Sequence, residues 1–170
     1  MKKLLLFILL SVMPFVADAQ IKFAYFSYDE ALKSMPEYAV AMSDISKLRA
    51  QYNDETKRVE DEFNRKYEAF LEGQKDFAPR ILQKRQTELQ ELMQKNMDFR
   101  AEAKRLLEEA EKQSMQPLHK KIKDVLAIIS QDKGYAFVIN TDNNACPYID
   151  ATQGEDISYI MKQVLNGTNK

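Results

Sequence analysis

The chain has 170 residues with 25 basic and 26 acidic side chains, a formal net charge of −1, and only one His and one Cys. A balance so near neutral gives no bulk attraction to nucleic acid, and a lone Cys excludes an intrachain disulfide. With no Gly-rich phosphate loop, no paired Cys and no His-Glu-x-x-His, the chain is expected to be no enzyme, to hold no cofactor or metal, and to have no small-molecule substrate.

Residues 1–19 read as a cleavable export signal: Lys2 and Lys3, the apolar run Leu4 to Val16, then Ala17-Asp18-Ala19 with small residues where a signal peptidase needs them. Cleavage is expected after Ala19. The apolar run is short for a membrane span and no Cys follows it to carry a lipid. The mature chain from Gln20 is therefore expected to be soluble and outside the cytoplasm.

Ile21 to Ser27 is aromatic and β-rich and predicts a first strand. Tyr28 to Ser34 predicts a short helix or turn, and Pro36 with Glu37 suits a first helical turn. From there Tyr38, Met42, Ile45, Arg49, Tyr52, Thr56, Val59, Phe63, Lys66 and Phe70 alternate spacings of four and three, which predicts a helix with one buried seam. Gly73 and Pro79 punctuate the chain, placing a tip near residues 72–79. Leu82, Arg85, Leu89, Leu92, Asn96, Phe99, Ala103, Leu106, Ala110 and Gln113 repeat the pattern beyond it. Two helices joined by so short a link must run antiparallel. At about 1.5 Å per residue each would be roughly 55 Å long, so the hairpin 36–116 is expected to project from its body as an arm.

Pro117 predicts a bend, after which Leu118, Ile122, Val125 and Ile129 resume an apolar face until Gly134. Tyr135 to Asn140 predicts a strand, Thr141 to Asn144 a turn, Cys146 to Ile149 a return strand, and Thr152 to Asp156 the start of a last helix. The fold class is thus α+β. A small β-rich body, residues 20–35 and 117–170, carries an antiparallel coiled-coil arm, and its strand edges call for sister subunits.

The stretches Ile21-Lys-Phe-Ala-Tyr-Phe-Ser-Tyr-Asp-Glu-Ala-Leu32, Ser34-Met-Pro-Glu-Tyr38, Gly134-Tyr-Ala-Phe-Val-Ile-Asn140 and Asp156-Ile-Ser158, with the charged hairpin between them, resemble the Skp (OmpH-type) periplasmic chaperones over nearly all of the mature chain. The resemblance implies a homotrimer whose bodies share a β-barrel and whose arms enclose a cavity. It implies ATP-independent holding of unfolded outer-membrane proteins before insertion, with transient contact at a membrane surface. Phe23, Tyr25, Phe137, Val138 and Ile139 are then the candidates for the trimer interface. The best-known members are strongly basic, whereas residues 36–116 here carry 15 basic and 17 acidic side chains. Only the tip keeps the bias, with Lys75, Arg80, Lys84 and Arg85 against Asp76.

Apolar residues outside the seam, with the tip cations, are the candidates for client binding: Leu48, Tyr67, Leu71, Lys75, Phe77, Arg80, Ile81, Lys84, Met93, Met97 and Leu107. For Leu48, Tyr67, Met93 and Leu107 two placements stay open, as flanks of a broad seam or as exposed, adaptable contacts. His119 reads as an ordinary surface or junction histidine rather than a switch, and Cys146 as a buried apolar thiol rather than a redox group. Asn166-Gly-Thr168 matches a glycosylation acceptor of little weight in a bacterial-looking chain. The alternative to a holdase is a structural coiled-coil spacer or adaptor of the cell envelope, which would explain the arms but not the strand-rich body.

Overall fold

The computed structural model describes residues 21–167; the expected export signal and Thr168 lie outside them. In chain order come β1 (Phe23–Phe26), α1 (Tyr28–Ser34), α2 (Pro36–Gly73), α3 (Pro79–Lys133), β2 (Phe137–Asn140), β3 (Gly154–Asp156) and α4 (Ser158–Leu165). Two compact units result, one of residues up to Ala31 together with those from Lys123 onward, the other Leu32–Ile122.

The first unit is built on a three-stranded, wholly parallel sheet in the order β2-β1-β3. Ala24 and Phe26 of β1 point to a core shared with Ala31, Val125, Ile129, Ile157, Met161 and Leu165, all buried. Full burial of a side chain such as Phe26 or Leu165 contributes about 1.5–3 kcal/mol. Polar groups close the junctions. Ser27 caps α1 by accepting the Glu30 N–H at 3.1 Å, while its own hydroxyl donates to Asp142 Oδ1 at 2.6 Å and Asp142 Oδ2 accepts the Asp29 N–H at 2.8 Å. Gly134, at φ +71°, ends α3 in the left-handed region, and the next N–H, of Tyr135, donates back to the Ser130 carbonyl at 3.0 Å.

In the second unit, α2 and α3 run antiparallel. Contacts pair rising numbers on one with falling numbers on the other: Glu37 with Lys121 at 2.7 Å, Arg49 with Glu111 at 4.0 Å, Tyr52 with Phe99 at 6.3 Å between ring centres, and the Asn96 amide donating to the Val59 carbonyl at 3.1 Å. Hydrogen bonding from Lys121 holds the Glu37 carboxyl below its usual range. Leu32, Met35, Leu118 and Ile122 are buried in this unit, but along the length of the pair only Ile45 and Ala103 are. The other apolar seam positions are half-buried, except Met42, which is exposed along with Arg49, Lys66, Arg85 and Gln113. Two helices alone can shield only a narrow stripe, so the expected buried seam is a shallow one.

Two local expectations are corrected. Cys146 to Ile149 is not a strand: Asn143 and Asn144 take φ of 54° and 56°, and Pro147 has no N–H for a ladder. Thr152 to Asp156 does not begin the last helix. There Asp150 organises a turn, its carboxylate accepting the Thr152 N–H and hydroxyl and its carbonyl accepting the N–H groups of Gln153 and Gly154. The chain leaves that turn as β3, and the Asp156 carboxylate then accepts the Ser158 N–H to start α4. Pro117 lies inside α3, which is one helix from Pro79 to Lys133; the carbonyl four residues back, on exposed Gln113, is open to water.

Gly154 is required where it stands. A Cβ there would lie 2.5 Å from Cε2 of Phe23, whose ring crosses the β3 backbone. Gly154→Ala is expected to destabilise the protein by about 1–3 kcal/mol, read as a lower urea midpoint. An unchanged midpoint would mean that the Phe23 ring is free to move aside.

Candidate functional site

The helical pair places most of the singled-out apolar residues in solvent. Tyr67 is 44% exposed, Leu71 45%, Ile81 and Met93 50%, and Met97 55%. The open placements therefore divide: Tyr67 and Met93 are exposed, Leu48 and Leu107 half-buried. Tyr67 stacks on seam residue Phe63 at 5.9 Å, so part of its exposed ring extends the seam outward. Met93 and Met97 flank a shallow depression of about 270 Å³ whose other lining residues include Phe63 and Asn96.

Near the tip the seam opens. Phe70, Phe77, Leu89 and Leu92 line a cleft of about 500 Å³ between α2 and α3. Phe77 belongs to the connecting turn and reaches the cleft because Gly73 leaves room for it; a Cβ on Gly73 would lie 2.6 Å from Phe77 Cζ. Its ring rests 6.3 Å from that of Phe70. Lys84 and Arg85 share one carboxylate, Glu88, at 3.8 and 3.2 Å. Lys75 and Arg80 are exposed and make no ion pair among the described residues.

In the other unit the face of the sheet opposite its core is aromatic. Parallel partners point the same way, so Phe23 with Phe137 and Tyr25 with Ile139 share that face, while Val138 registers with Ala24 on the core side. Phe23 and Phe137 stack at 5.4 Å with 9° between ring planes, and Phe23 continues across Gly154. Phe137 is 49% exposed. Of the five interface candidates, four therefore lie on this outer face and Val138 does not. Sequence reasoning could not separate them, because alternation fixes two faces without saying which is covered. It also passed over Ile128, Tyr148 and Tyr159, which are exposed apolar residues of the same unit.

His119 is exposed on α3, and Cys146 is half-buried rather than buried, its thiol 3.3 Å from the Tyr148 carbonyl oxygen. Among the described residues no group of three or more His, Cys, Asp or Glu is arranged to hold a metal, and no helix is long and apolar enough to cross a membrane.

A family model described as OmpH, outer membrane protein (OmpH-like), matches residues 22–165. Among solved structures, one from Caulobacter crescentus CB15, described as a candidate outer membrane chaperone (OmpH-like), superposes with a TM-score of 0.71. It is 14% identical over 89% of this chain and 88% of that one, so the likeness is one of fold. No match is found among curated proteins.

The exposures make a stability contrast measurable. Replacing Ile81, Met93 or Met97 by Gln is expected to change unfolding free energy by no more than about 0.5 kcal/mol each. Ile45→Ala, at the one buried position of α2, should cost about 2–5 kcal/mol. Urea denaturation checks both; equal losses would mean that the exposed side chains are structural.

Proposed function

The chain belongs to the OmpH-like outer membrane protein family, and on that premise we propose that it is an ATP-independent periplasmic holdase. In this reading residues 1–19 direct export and are removed, and the mature chain forms a homotrimer. Its helical arms enclose an unfolded outer-membrane β-barrel protein and prevent its aggregation before membrane insertion.

The observation that carries the reading is the row of solvent-exposed apolar side chains along α2 and α3, from Tyr67 and Leu71 to Met93 and Met97. A barrel precursor has alternating apolar residues that find no lipid in water and would otherwise pair with those of its fellows. Methionine and tyrosine adapt to many surfaces, each weakly. Several weak contacts on one enclosed chain add up through effective concentration, while each exchanges quickly. Release needs no nucleotide when insertion lowers the free energy of the precursor by more than the holdase does. The unpaired Lys75 and Arg80 suit transient contact with an anionic membrane surface.

Trimerisation is supported by the sheet. Parallel sheets are ordinarily covered on both faces, and among the described residues Phe23, Tyr25 and Ile139 are only half-buried and Phe137 is exposed. Sister copies of the same face would complete the cover. Phe137→Asp is expected to dissociate the assembly, because a charge buried without a partner costs several kcal/mol; a mass in solution equal to that of the native trimer would remove this face from the interface.

The holding role is tested on a urea-unfolded outer-membrane barrel diluted with and without the protein. Suppressed aggregation is expected, and no suppression would favour a spacer or adaptor. Deleting Asp54 to Met97 and joining Asn53 to Asp98 by a few glycine-rich residues should leave a folded trimer that no longer holds. Tyr52 and Phe99 already face each other at 6.3 Å, so the shortened hairpin can close. Holding at native stoichiometry by the shortened protein would move the binding site to the sheet unit.

A further inference from the structure

The cleft between α2 and α3 next to the tip is lined by two phenylalanines, Phe70 and Phe77. They line it together with Leu89 and Leu92, and the open space measures about 500 Å³. That lies within the range of roughly 300–1,000 Å³ typical of sites for small organic groups. Gly73 allows Phe77 to fold back and wall it, so the cleft has two aromatic surfaces tilted at 45° to one another. An aromatic ring entering the cleft beside them can meet one edge-on and the other by its face.

Charge narrows the choice further. The lining carries Lys66, Arg85 and Lys95 against Glu88 and Glu91, and the adjoining residues 73–85 carry four cations against one carboxylate. Lys66 is neutralised by Glu62 at 2.8 Å, and Arg85 shares Glu88 with Lys84. Glu91 and Lys95, both in the lining, make no ion pair among the described residues and offset one another, so the excess positive charge is that of Lys84 and Arg85 sharing one carboxylate. The cleft is thus aromatic inside and under-compensated for positive charge at its mouth.

We infer that this cleft is a discrete subsite for one aromatic side chain of an unfolded polypeptide, and that it prefers aromatics flanked by carboxylates. The inference deepens the holdase reading and rests on it for the identity of the occupant as part of a client chain. It turns the tip from a region of diffuse contact into a site with sequence preference. Clients would then be gripped first at aromatic residues beside Asp or Glu.

The protein contains no Trp, so a tryptophan in a capped peptide reports its own binding. Acetyl-Glu-Trp-Glu-amide added to the full mature protein is expected to give a saturable blue shift of emission that weakens with added salt. Acetyl-Lys-Trp-Lys-amide should bind roughly tenfold more weakly, and Phe77→Ala should weaken the acidic peptide by a similar factor. Lys95→Glu, at an exposed position that leaves the fold intact, should narrow or reverse the preference between the two peptides. Equal binding of both peptides, or unchanged binding in both variants, would overturn the inference. Suppression of barrel aggregation by a protein that binds neither peptide would refute the cleft and leave the holdase standing. Peptide binding without suppression would do the reverse.

Discussion

The fold depends on β1 being the middle strand of a parallel sheet. Parallel neighbours cannot be joined by a tight turn, because the chain must return to the starting end before it pairs again. Between Phe26 and Phe137 that return consists of α1, α2 and α3, so the long helical pair is the crossover connection of β1 to β2. The pairing of Phe23 with Phe137 and of Phe26 with Asn140 can form only if α3 runs back against α2. Such a crossover can lengthen without disturbing the sheet, since a turn added to α2 is matched by a turn added to α3. Closing a long flexible loop costs entropy that grows with its length, though slowly; a self-pairing helical hairpin avoids much of even that cost by ordering locally first.

Cohesion comes mainly from apolar packing. Among the described residues no polar or charged residue is buried, and the ion pairs are exposed, most of them three or four residues apart on one helix. Pairs of this kind contribute only a few tenths of a kcal/mol each. Those that cross between helices, Glu37 with Lys121, Glu60 with Arg100 and Arg49 with Glu111, are equally exposed and act on register more than on stability. The Asn96 amide on the Val59 carbonyl adds a polar pin in the middle of the seam. A single polar seam residue of this sort costs apolar burial and fixes alignment.

What was legible in the sequence follows from which signals are local. Helices α2 and α3 declared themselves through sustained four-three spacing, and their boundaries through Pro36, Gly73, Pro79 and Gly134. Strands β1 and β2 were legible from runs of aromatic and β-branched residues. Strand β3 was not, because Gly154-Glu155-Asp156 has none of the residues that favour strands. Its extended state is imposed from outside, by pairing with β1 and by the Phe23 ring lying over Gly154. The segment Cys146 to Ile149 shows the converse, strand-like residues held out of the sheet by the two left-handed asparagines before it. At the candidate site, spacing identified Met93, Met97, Leu71 and Ile81 as lying off the seam. The tip cleft could not be read in the same way, since it depends on where Phe77 folds and on how far α2 and α3 stand apart.

The shallowness of the seam ties the fold to its proposed use. A pair of helices with no third partner leaves part of each apolar stripe uncovered, and lengthening the pair extends that surface in proportion. A contiguous stripe of this kind would drive association of the protein with itself. Here the exposed apolar residues are interrupted: Met93 lies between Glu91 and Lys95, Met97 between Lys95 and Asp98, and Ile81 between Arg80 and Lys84. Met93 and Met97, one turn apart, share one small foothold and Ile81 forms another, each with charged residues close by in sequence. Two copies of such a surface gain little by packing together, because every apolar contact would desolvate the charges beside it. An unfolded chain can instead place single side chains on separate footholds while its backbone and the neighbouring charges stay in water. In the proposed holdase role, the interruption that limits self-association of the helical pair also suits it to flexible partners.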